Sequence, residues 1–239
     1  MIRKRERTFS DHNRLQVRRL LQALCLLLLA GGTELFAQET VTELFMAAPD
    51  TVLPHFDQET KSELVSQYAL TASGESADPV RNRYGGSSSI LSLNDSRLVI
   101  EVDETTTLEL KVLKTRNRRA PMVGVIFTDH TTPAISVFAF YNPSENWQKI
   151  QAREVIELPR PTDFLSDPGY ADDLEVKKAL VERGLWTYTA TFGETKETIT
   201  LSPTTFTDAV AQSQFPGVAA KLRPEGLSYR WRKSAFERL

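Results

Sequence analysis

Alternating apolar residues in two consecutive segments constrain the fold of this chain more than any other feature of its sequence. The segments are SRLVIEV (96–102), where Leu98, Ile100 and Val102 alternate with polar residues, and TTTLELKVL (105–113), where Leu108, Leu110 and Val112 do so. A period of two is typical of β-strands that bury one face. Turn sequences at Asn94-Asp95 and Asp103-Glu104 separate these segments from each other and from SILSLN (89–94). We therefore predict a meander of antiparallel hairpins.

Further strands are expected on both sides of a proline-rich stretch at residues 159–161. MVGVIFT (122–128) and AISVFAFYN (134–142) are almost uniformly apolar, as in central strands covered on both faces. EVIELP (154–159) is predicted as a further strand, LWTYTATF (185–192) and KETITLS (196–202) as a hairpin, and GLSYRWR (226–232) as a closing strand.

Short helices are expected near the start and in the middle of the exported chain. Thr42 is a candidate cap for a first turn, and Asp57 for QETKSELVSQYAL (58–70). The apolar residues around them, in TELFMAAPDTVLPHF (42–56), are expected to belong to the core. YADDLEVKKALVERG (170–184) has acids in its first turn and ends at Gly184, and residues 71–89 read as a loop. The predicted fold class is α+β, mainly an antiparallel β-meander.

The first 37 residues have the pattern of a signal peptide. A basic segment precedes the apolar run LLQALCLLLLAGG (20–32), which is too short to cross a bilayer, and Ala37 offers a cleavage site. An uncleaved N-terminal anchor is the alternative. Cys25 lies inside the apolar run and follows a leucine, which argues against lipidation. The sequence predicts export to the periplasm, the outer envelope or the medium, with no membrane span in the mature chain.

Removal of residues 1–37 changes the chemistry that remains available. Cys25 is the only cysteine, so the mature chain could form neither disulfides nor thiolate metal sites and would have no cysteine nucleophile. It would carry 22 basic and 28 acidic side chains, a net charge of −6. That sign gives no general electrostatic reason to bind nucleic acid. We expect residues 38–239 to form one α+β domain, with two related halves (about 40–158 and 159–239) as the other option.

Four segments together resemble a known family. They are ELFMAAPDTVLPHF, LSLNDSRLVIEVDETTTLELKVL, FYNPSENWQKI and LRPEGLSYRWRKSAFERL, in this order along the chain. They are similar to a family of small exported proteins of Bacteroidetes-type bacteria, known as domain of unknown function 3256. The family pattern has Met before the first proline, where this chain has Ala48. The resemblance implies an envelope or secreted location, and it implies no activity and no catalytic residues.

Catalytic and metal-binding patterns are weak in this sequence. His55 could form a local cluster with Asp50 or Asp57, but a histidine packed at the start of a helix is the favoured interpretation, and an ordinary loop histidine is favoured for His130. Asp167, Asp172, Asp173 and Glu175 do not have calcium-loop spacing. We therefore expect no enzymatic activity, no metal site and no cofactor.

Aromatic and basic residues of two strands are the candidate binding residues. Trp186 and Tyr188 share one face of their strand, Tyr229 and Trp231 share a face of the last strand, and Arg230 and Arg232 alternate with that pair. An exposed aromatic row could stack sugars, whereas a core role is favoured because threonines alternate with the rings on the first of these strands. The arginines could face an anionic envelope polymer or an acidic protein.

The sequence thus favours an exported, non-enzymatic binding or accessory component whose partner is an envelope protein or glycan. The alternatives are an envelope hydrolase acting on glycan or peptide, a carbohydrate-binding module, and an inhibitor of an envelope enzyme. The oligomeric state is not indicated by the sequence.

Overall fold

The computed structural model describes residues 39–115, 121–183, 186–206 and 209–239. The predicted signal peptide, with Cys25, and the predicted glycine cap at Gly184 lie outside these residues. Among the helices of the described residues, none is long and apolar enough to cross a membrane.

Two helices open the described chain. Helix α1, Val41–Ala47, begins at Thr40, whose hydroxyl accepts from the Glu43 backbone N–H while the Glu43 carboxylate accepts from the Thr40 N–H. This capping box corrects the predicted cap at Thr42 by two residues. Helix α2, Gln58–Ala72, has the predicted Asp57 cap, which accepts from the Thr60 N–H at 2.9 Å.

The predicted meander is a seven-stranded antiparallel sheet in which every strand pairs with its neighbours in the chain. Its strands are β1 Val80–Arg81, β2 Ser87–Leu93, β3 Arg97–Glu101, β4 Thr106–Leu113, β5 Met122–Asp129, β6 Ile135–Asn142 and β7 Gln148–Ile150. The short edge strands β1 and β7 were not predicted, because two or three residues carry no readable periodicity. Strand β5 is buried along almost its whole length, as its uniform apolar sequence indicated. The same prediction is wrong for β6, whose Ile135 and Val137 are exposed, because the helices pack mainly on β1 to β4.

A second antiparallel sheet of four strands has the order β11–β10–β9–β8. These strands are β8 Tyr188–Phe192, β9 Thr198–Pro203, β10 Leu227–Arg232 and β11 Ala235–Arg238. The predicted strand EVIELP is wrong: it contains the end of the short helix α3, Ala152–Val155, and only Ile156 makes a bridge, to Phe236 of β11. Strand β11 follows a tight turn at Lys233, and the sequence analysis missed it.

Helices and sheets pack in three layers around the seven-stranded sheet. On one face, α1 packs on β3 and β4, and α2 packs on β1 and β2. On the other face, β8 of the four-stranded sheet crosses β4, β5 and β6. Each interface contains its own cluster of buried apolar side chains. The class α+β with a large antiparallel sheet is therefore confirmed.

A third apolar cluster lies under short helices of the C-terminal region. These are α4 Leu174–Arg183, α5 Ala209–Gln214 and α6 Pro216–Ala219, with short 3₁₀ turns at Pro161–Phe164 and Pro168–Asp172. The acids of the predicted helix start cap and pair locally: Asp173 accepts from the Glu175 and Val176 N–H groups and bonds Lys221 at 2.9 Å.

A polar cluster joins the two sheets in the interior. The Glu109 carboxylate accepts from the Arg97 guanidinium at 2.9 Å and from the backbone N–H of Phe192 in β8 at 3.1 Å. The Lys111 ammonium, which is fully buried, donates to the backbone carbonyls of Gly193 and Glu194. Polar side chains of β4 thus bind the edge of β8, which explains why two central positions of a buried strand are charged.

Candidate functional site

The four aromatic candidates lie in or against the core between the two sheets and do not form an exposed row. Tyr229 and Trp231 are almost fully buried, at 2% and 4% exposure. Trp186 and Tyr188 are partly buried and pack against Phe164, with ring centroids 6.3 and 6.2 Å away. This burial fits the favoured core role and not the alternative of an exposed sugar-stacking row, because the rings form the apolar core of the four-stranded sheet.

Trp231 also has its polar atom satisfied inside the protein. The indole Nε1 donates to the backbone carbonyl of Lys114 at 2.6 Å, and the ring contacts Phe236 with centroids 5.1 Å apart. The Trp186 Nε1 is buried and has no hydrogen-bond partner within the described residues. The two indoles therefore pack into the fold, Trp231 almost fully buried and Trp186 partly so.

Arg230 and Arg232 lie on the outer face of the four-stranded sheet, and both are exposed. Arg230 lies opposite Thr198 of β9 and Glu237 of β11. This face otherwise consists largely of threonine and serine side chains, and the Thr200 and Ser228 hydroxyls are 3.0 Å apart. The arginine pair is available to a partner, and its immediate surroundings are polar.

His55 does not form a catalytic cluster with the two aspartates proposed for it. Asp50 pairs with Arg83 at 2.5 Å, and Asp57 caps α2. The His55 ring packs between Tyr84, at 5.0 Å between centroids, and Phe127, at 5.6 Å, and its Nδ1 is buried with no partner in the described chain. Burial lowers the pKa of His55, and the charge of Asp103 partly opposes this shift.

His130 and the acidic segment 167–175 also have local partners. The His130 Nε2 lies 2.9 Å from the Thr107 hydroxyl on an exposed edge of the sheet. Asp167 accepts from the Gly169 N–H, and Asp172 pairs with Lys177. Among the described residues, no group of three or more His, Cys, Asp or Glu side chains is placed to hold a metal ion.

An apolar surface that the sequence analysis did not single out lies on the helix-side face of the seven-stranded sheet. Helices α1 and α2 pack mainly on β1 to β4, and two outward apolar side chains of β6 are exposed: Val137 is 69% exposed and Ile135 43%. Val137 lies opposite Phe127 of β5. The Phe127 ring contacts the His55 ring, which also contacts Tyr84, and Tyr84 is 71% exposed. We call these five residues the β6 surface.

Acidic side chains border the β6 surface at one end. Asp129 lies opposite Ile135, and Asp103 acts electrostatically on both His55 and Asp129. Hydrogen bonds from Thr105 lower the pKa of Asp103, and hydrogen bonds from Thr131 lower the pKa of Asp129, so both carboxylates are ionised at neutral pH. The surface therefore has an apolar centre and a negative border.

A groove of about 550 Å³ opens beside the edge of β11. Its walls are β11 and the extended segment 157–160, which separate after the single bridge between Ile156 and Phe236. We call it the β11 groove; its lining residues are Glu157, Leu158, Pro159, Arg160, Asp163, Tyr229, Phe236, Glu237 and Arg238. Tyr229 is the one sequence candidate among them. Alternation along β10 and β11 could have placed Tyr229 near Arg238, but only the course of segment 157–160 creates the groove.

Comparisons with known proteins identify the family and the fold. A model for a family described as a protein of unknown function (DUF3256) matches residues 33–236. A search of curated proteins gave no significant match. A solved domain of an uncharacterised protein from Porphyromonas gingivalis W83 has a similar fold, with a TM-score of 0.69 and 21% sequence identity over 85% of this chain and all of that one. The resemblance seen in the sequence is thus confirmed, and the chain belongs to the DUF3256 family.

Proposed function

We propose that this protein is an exported, non-enzymatic component of the cell envelope that docks onto another envelope protein through the β6 surface. The exposure of Val137 and Ile135, on the part of the helix-side face where no helix of the described residues covers them, carries this proposal. Large exposed apolar patches on soluble domains mark interaction sites, because leaving them in water costs free energy. Export is supported by the signal-peptide pattern of residues 1–37.

The chemistry of the surface specifies the kind of partner. Its apolar centre fits an apolar loop or strand, and its ionised Asp103 and Asp129 fit basic side chains around that segment. The lowered pKa of His55 keeps its ring neutral near neutral pH, so that no buried charge interrupts the apolar centre. We therefore expect a partner whose contact surface is apolar with a basic border.

A site-specific crosslinking experiment tests this proposal. A photoreactive residue replaces Val137 in the full chain expressed in its own host, and the crosslinked adduct is identified by mass spectrometry. The matched control is Val181 of α4, another exposed valine, on a different surface. A single dominant adduct at position 137, absent at position 181 and mapping to an apolar segment with basic neighbours, supports the proposal.

Charge reversal supplies the second arm of the experiment. Asp129→Lys is expected to reduce the adduct at position 137 about tenfold, as for a charge pair at an interface, whereas reversing both Arg230 and Arg232 leaves it unchanged. An adduct that joins two copies of this chain, or one lost on reversing the arginines and kept in Asp129→Lys, contradicts the proposed docking surface. Recovery of the protein without any partner would favour the hydrolase or glycan-binding alternatives.

A further inference from the structure

The edge of β6 carries a further inference, which rests on the docking surface proposed above and concerns how a partner binds to it. Strand β7 pairs only with Phe140, Tyr141 and Asn142 of β6. The first five residues of β6, 135–139, have β5 on one side and no strand of the described residues on the other. This part of the seven-stranded sheet is therefore an open edge.

The hydrogen-bond pattern of the sheet shows which main-chain groups face this edge. The His130 N–H donates to the Thr105 carbonyl, which fixes the bonded pairs between β4 and β5. Bonded pairs alternate along antiparallel strands, and the register from β4 through β5 to β6 is continuous. The odd-numbered residues of β6 therefore bond to β5, and the N–H and C=O groups of Ser136 and Phe138 point to the open edge.

These four outward groups have no hydrogen-bond partner within the described residues. The corresponding groups on either side of them along β6 are satisfied. Phe140 pairs with Ile150 of β7, and the Ala134 carbonyl accepts from the Thr204 hydroxyl at 2.6 Å. The open stretch thus has two defined ends, with two residues between them whose main chain is available.

Helix α3 follows β7 and packs on β6 from the side of the four-stranded sheet. Its Val155 belongs to the apolar cluster between the two sheets, and the next residue, Ile156, bridges to Phe236 of β11. The chain after β7 therefore turns away from the β6 surface and does not continue β7 along the open edge.

The two faces of this edge differ. Ser136 and Phe138 direct their side chains toward β8, where the Ser136 hydroxyl accepts from the Ala190 N–H at 2.8 Å and the Phe138 ring lies 6.4 Å from that of Tyr188. Val137 points to the helix-side face and is 69% exposed. A strand added here would therefore gain new apolar contacts chiefly on the face of Val137.

The open edge lacks the features that normally prevent strand pairing. Exposed edges are usually very short or are protected by lysine, proline or a bulge. The outer strands β1 and β7 are two and three residues long, and β7 carries Lys149. Residues 135–139 read ISVFA, with no charge and no proline, and their pairing with β5 has no bulge. Such a stretch pairs readily with an extended segment of another protein.

We propose that the partner binds to β6 as an added antiparallel strand, placed in line with β7. Its main chain exchanges four hydrogen bonds with Ser136 and Phe138. Antiparallel pairing is the more stable per residue, and every strand of this sheet pairs in that way. The side chains on the face of Val137 are apolar, because they contact the centre of the β6 surface. Basic residues flank this segment, where Asp103 and Asp129 border the surface.

Amide exchange in the free protein tests whether the edge is open. The exported form, purified from cells expressing the full chain, is followed by NMR in deuterated water. The Ser136 and Phe138 amides are expected to exchange at least roughly tenfold faster than those of Val137 and Ala139, which bond to β5. Equal protection of all four amides, in a monomer or in a dimer, would overturn the proposal, because the edge would already be occupied.

Peptides methylated on the main chain test the added strand. The probe is acetyl-Lys-Val-Thr-Val-Thr-Val-Lys-amide, whose threonine N–H groups face β6 when its valines share the face of Val137. N-methylation of both threonines is expected to weaken binding at least roughly tenfold, through the loss of two hydrogen bonds. N-methylation of the second and third valines is the matched control and should change binding by less than about twofold. Binding is measured from the amide shifts of Ser136 and Phe138, whose exchange the bound probe should slow.

Three results of the peptide experiment would overturn the proposal. They are the absence of binding by the unmethylated probe at millimolar concentration, equal binding of the two methylated peptides, and weaker binding of the valine-methylated peptide, which would require a parallel strand. The in-cell crosslink at position 137 is read separately. A crosslink combined with any of these results keeps the docking surface and removes only the strand addition, whereas the expected peptide results without a crosslink keep the strand site and remove the proposed envelope partner.

Discussion

Replacing Glu109 by leucine should lower the free energy of unfolding, because this one carboxylate accepts hydrogen bonds from groups in both sheets. It accepts from Arg97 in β3 and from the Phe192 N–H in β8, and its side chain is only 9% exposed. Leucine fills a similar volume but accepts no hydrogen bond. The Arg97 guanidinium, 13% exposed, would then lose its counter-charge, and the Phe192 N–H would lose its acceptor.

The size of the effect follows from these two losses. Removing one partner of a buried ion pair costs about 3–5 kcal/mol, and a buried N–H left without an acceptor costs about 1–3 kcal/mol. The residual exposure of Arg97 lets water reach its guanidinium, so the lower ends apply, and new apolar contacts of leucine offset part of the loss. We expect a decrease of about 3 kcal/mol in the free energy of unfolding, or roughly 6–12 °C in Tm for a chain of this size.

Urea denaturation followed by tryptophan fluorescence measures this change, since the chain has three tryptophans. The matched control is Glu101→Leu, at an exposed position of β3, which should change the free energy of unfolding by less than about 0.5 kcal/mol. The double variant Arg97→Leu with Glu109→Leu should be less destabilised than the sum of the two single variants. Strict additivity, or a cost for Glu109→Leu below about 1 kcal/mol, would refute the assigned role of this cluster.

Three further predictions concern stability, each checked by denaturation. Gly124→Ala places a Cβ 2.5 Å from the Phe192 ring and should cost about 1–3 kcal/mol of overpacking; an unchanged midpoint would contradict the close contact of the sheets. Burial lowers the pKa of His55, so the unfolded state binds more protons than the folded state near pH 6.5 and below. As the pH falls through this region, the free energy of unfolding of the native protein should therefore decrease relative to that of His55→Phe. Parallel pH profiles of the two proteins would contradict this. Burial also lowers the pKa of Lys61, whose ammonium donates to the Ala48 carbonyl. The free energy of unfolding of the native protein should therefore rise relative to that of Lys61→Met as the pH increases toward about 10. A difference between the two proteins that does not change with pH would contradict this.

The hairpin pairing of β2 to β4 could be predicted because it depends on local patterns, whereas the order of all strands in the two sheets could not. Leu98, Ile100 and Val102 alternate, short turns follow, and consecutive strands joined by short turns pair with each other. Asp57 as a helix cap is likewise a short-range hydrogen bond. The predictions failed where a tertiary contact overrides local preference, as at residues 154–159, where a helix and a single bridge replace the expected strand.

The surfaces and the groove depend on long-range placement. The sequence predicts that Val137 belongs to an apolar strand covered on both faces, but its exposure depends on which strands α1 and α2 pack against. Likewise, Tyr229 and Glu157 are 72 residues apart in the sequence, yet both line one groove. By itself the sequence determined most of the longer strands and the hairpin pairing of β2 to β4, because these depend on periodicity and short-range turns, and its motifs indicated the family. Tertiary structure alone decided which apolar faces are covered and which polar groups meet, because both depend on how the sheets and helices pack against one another.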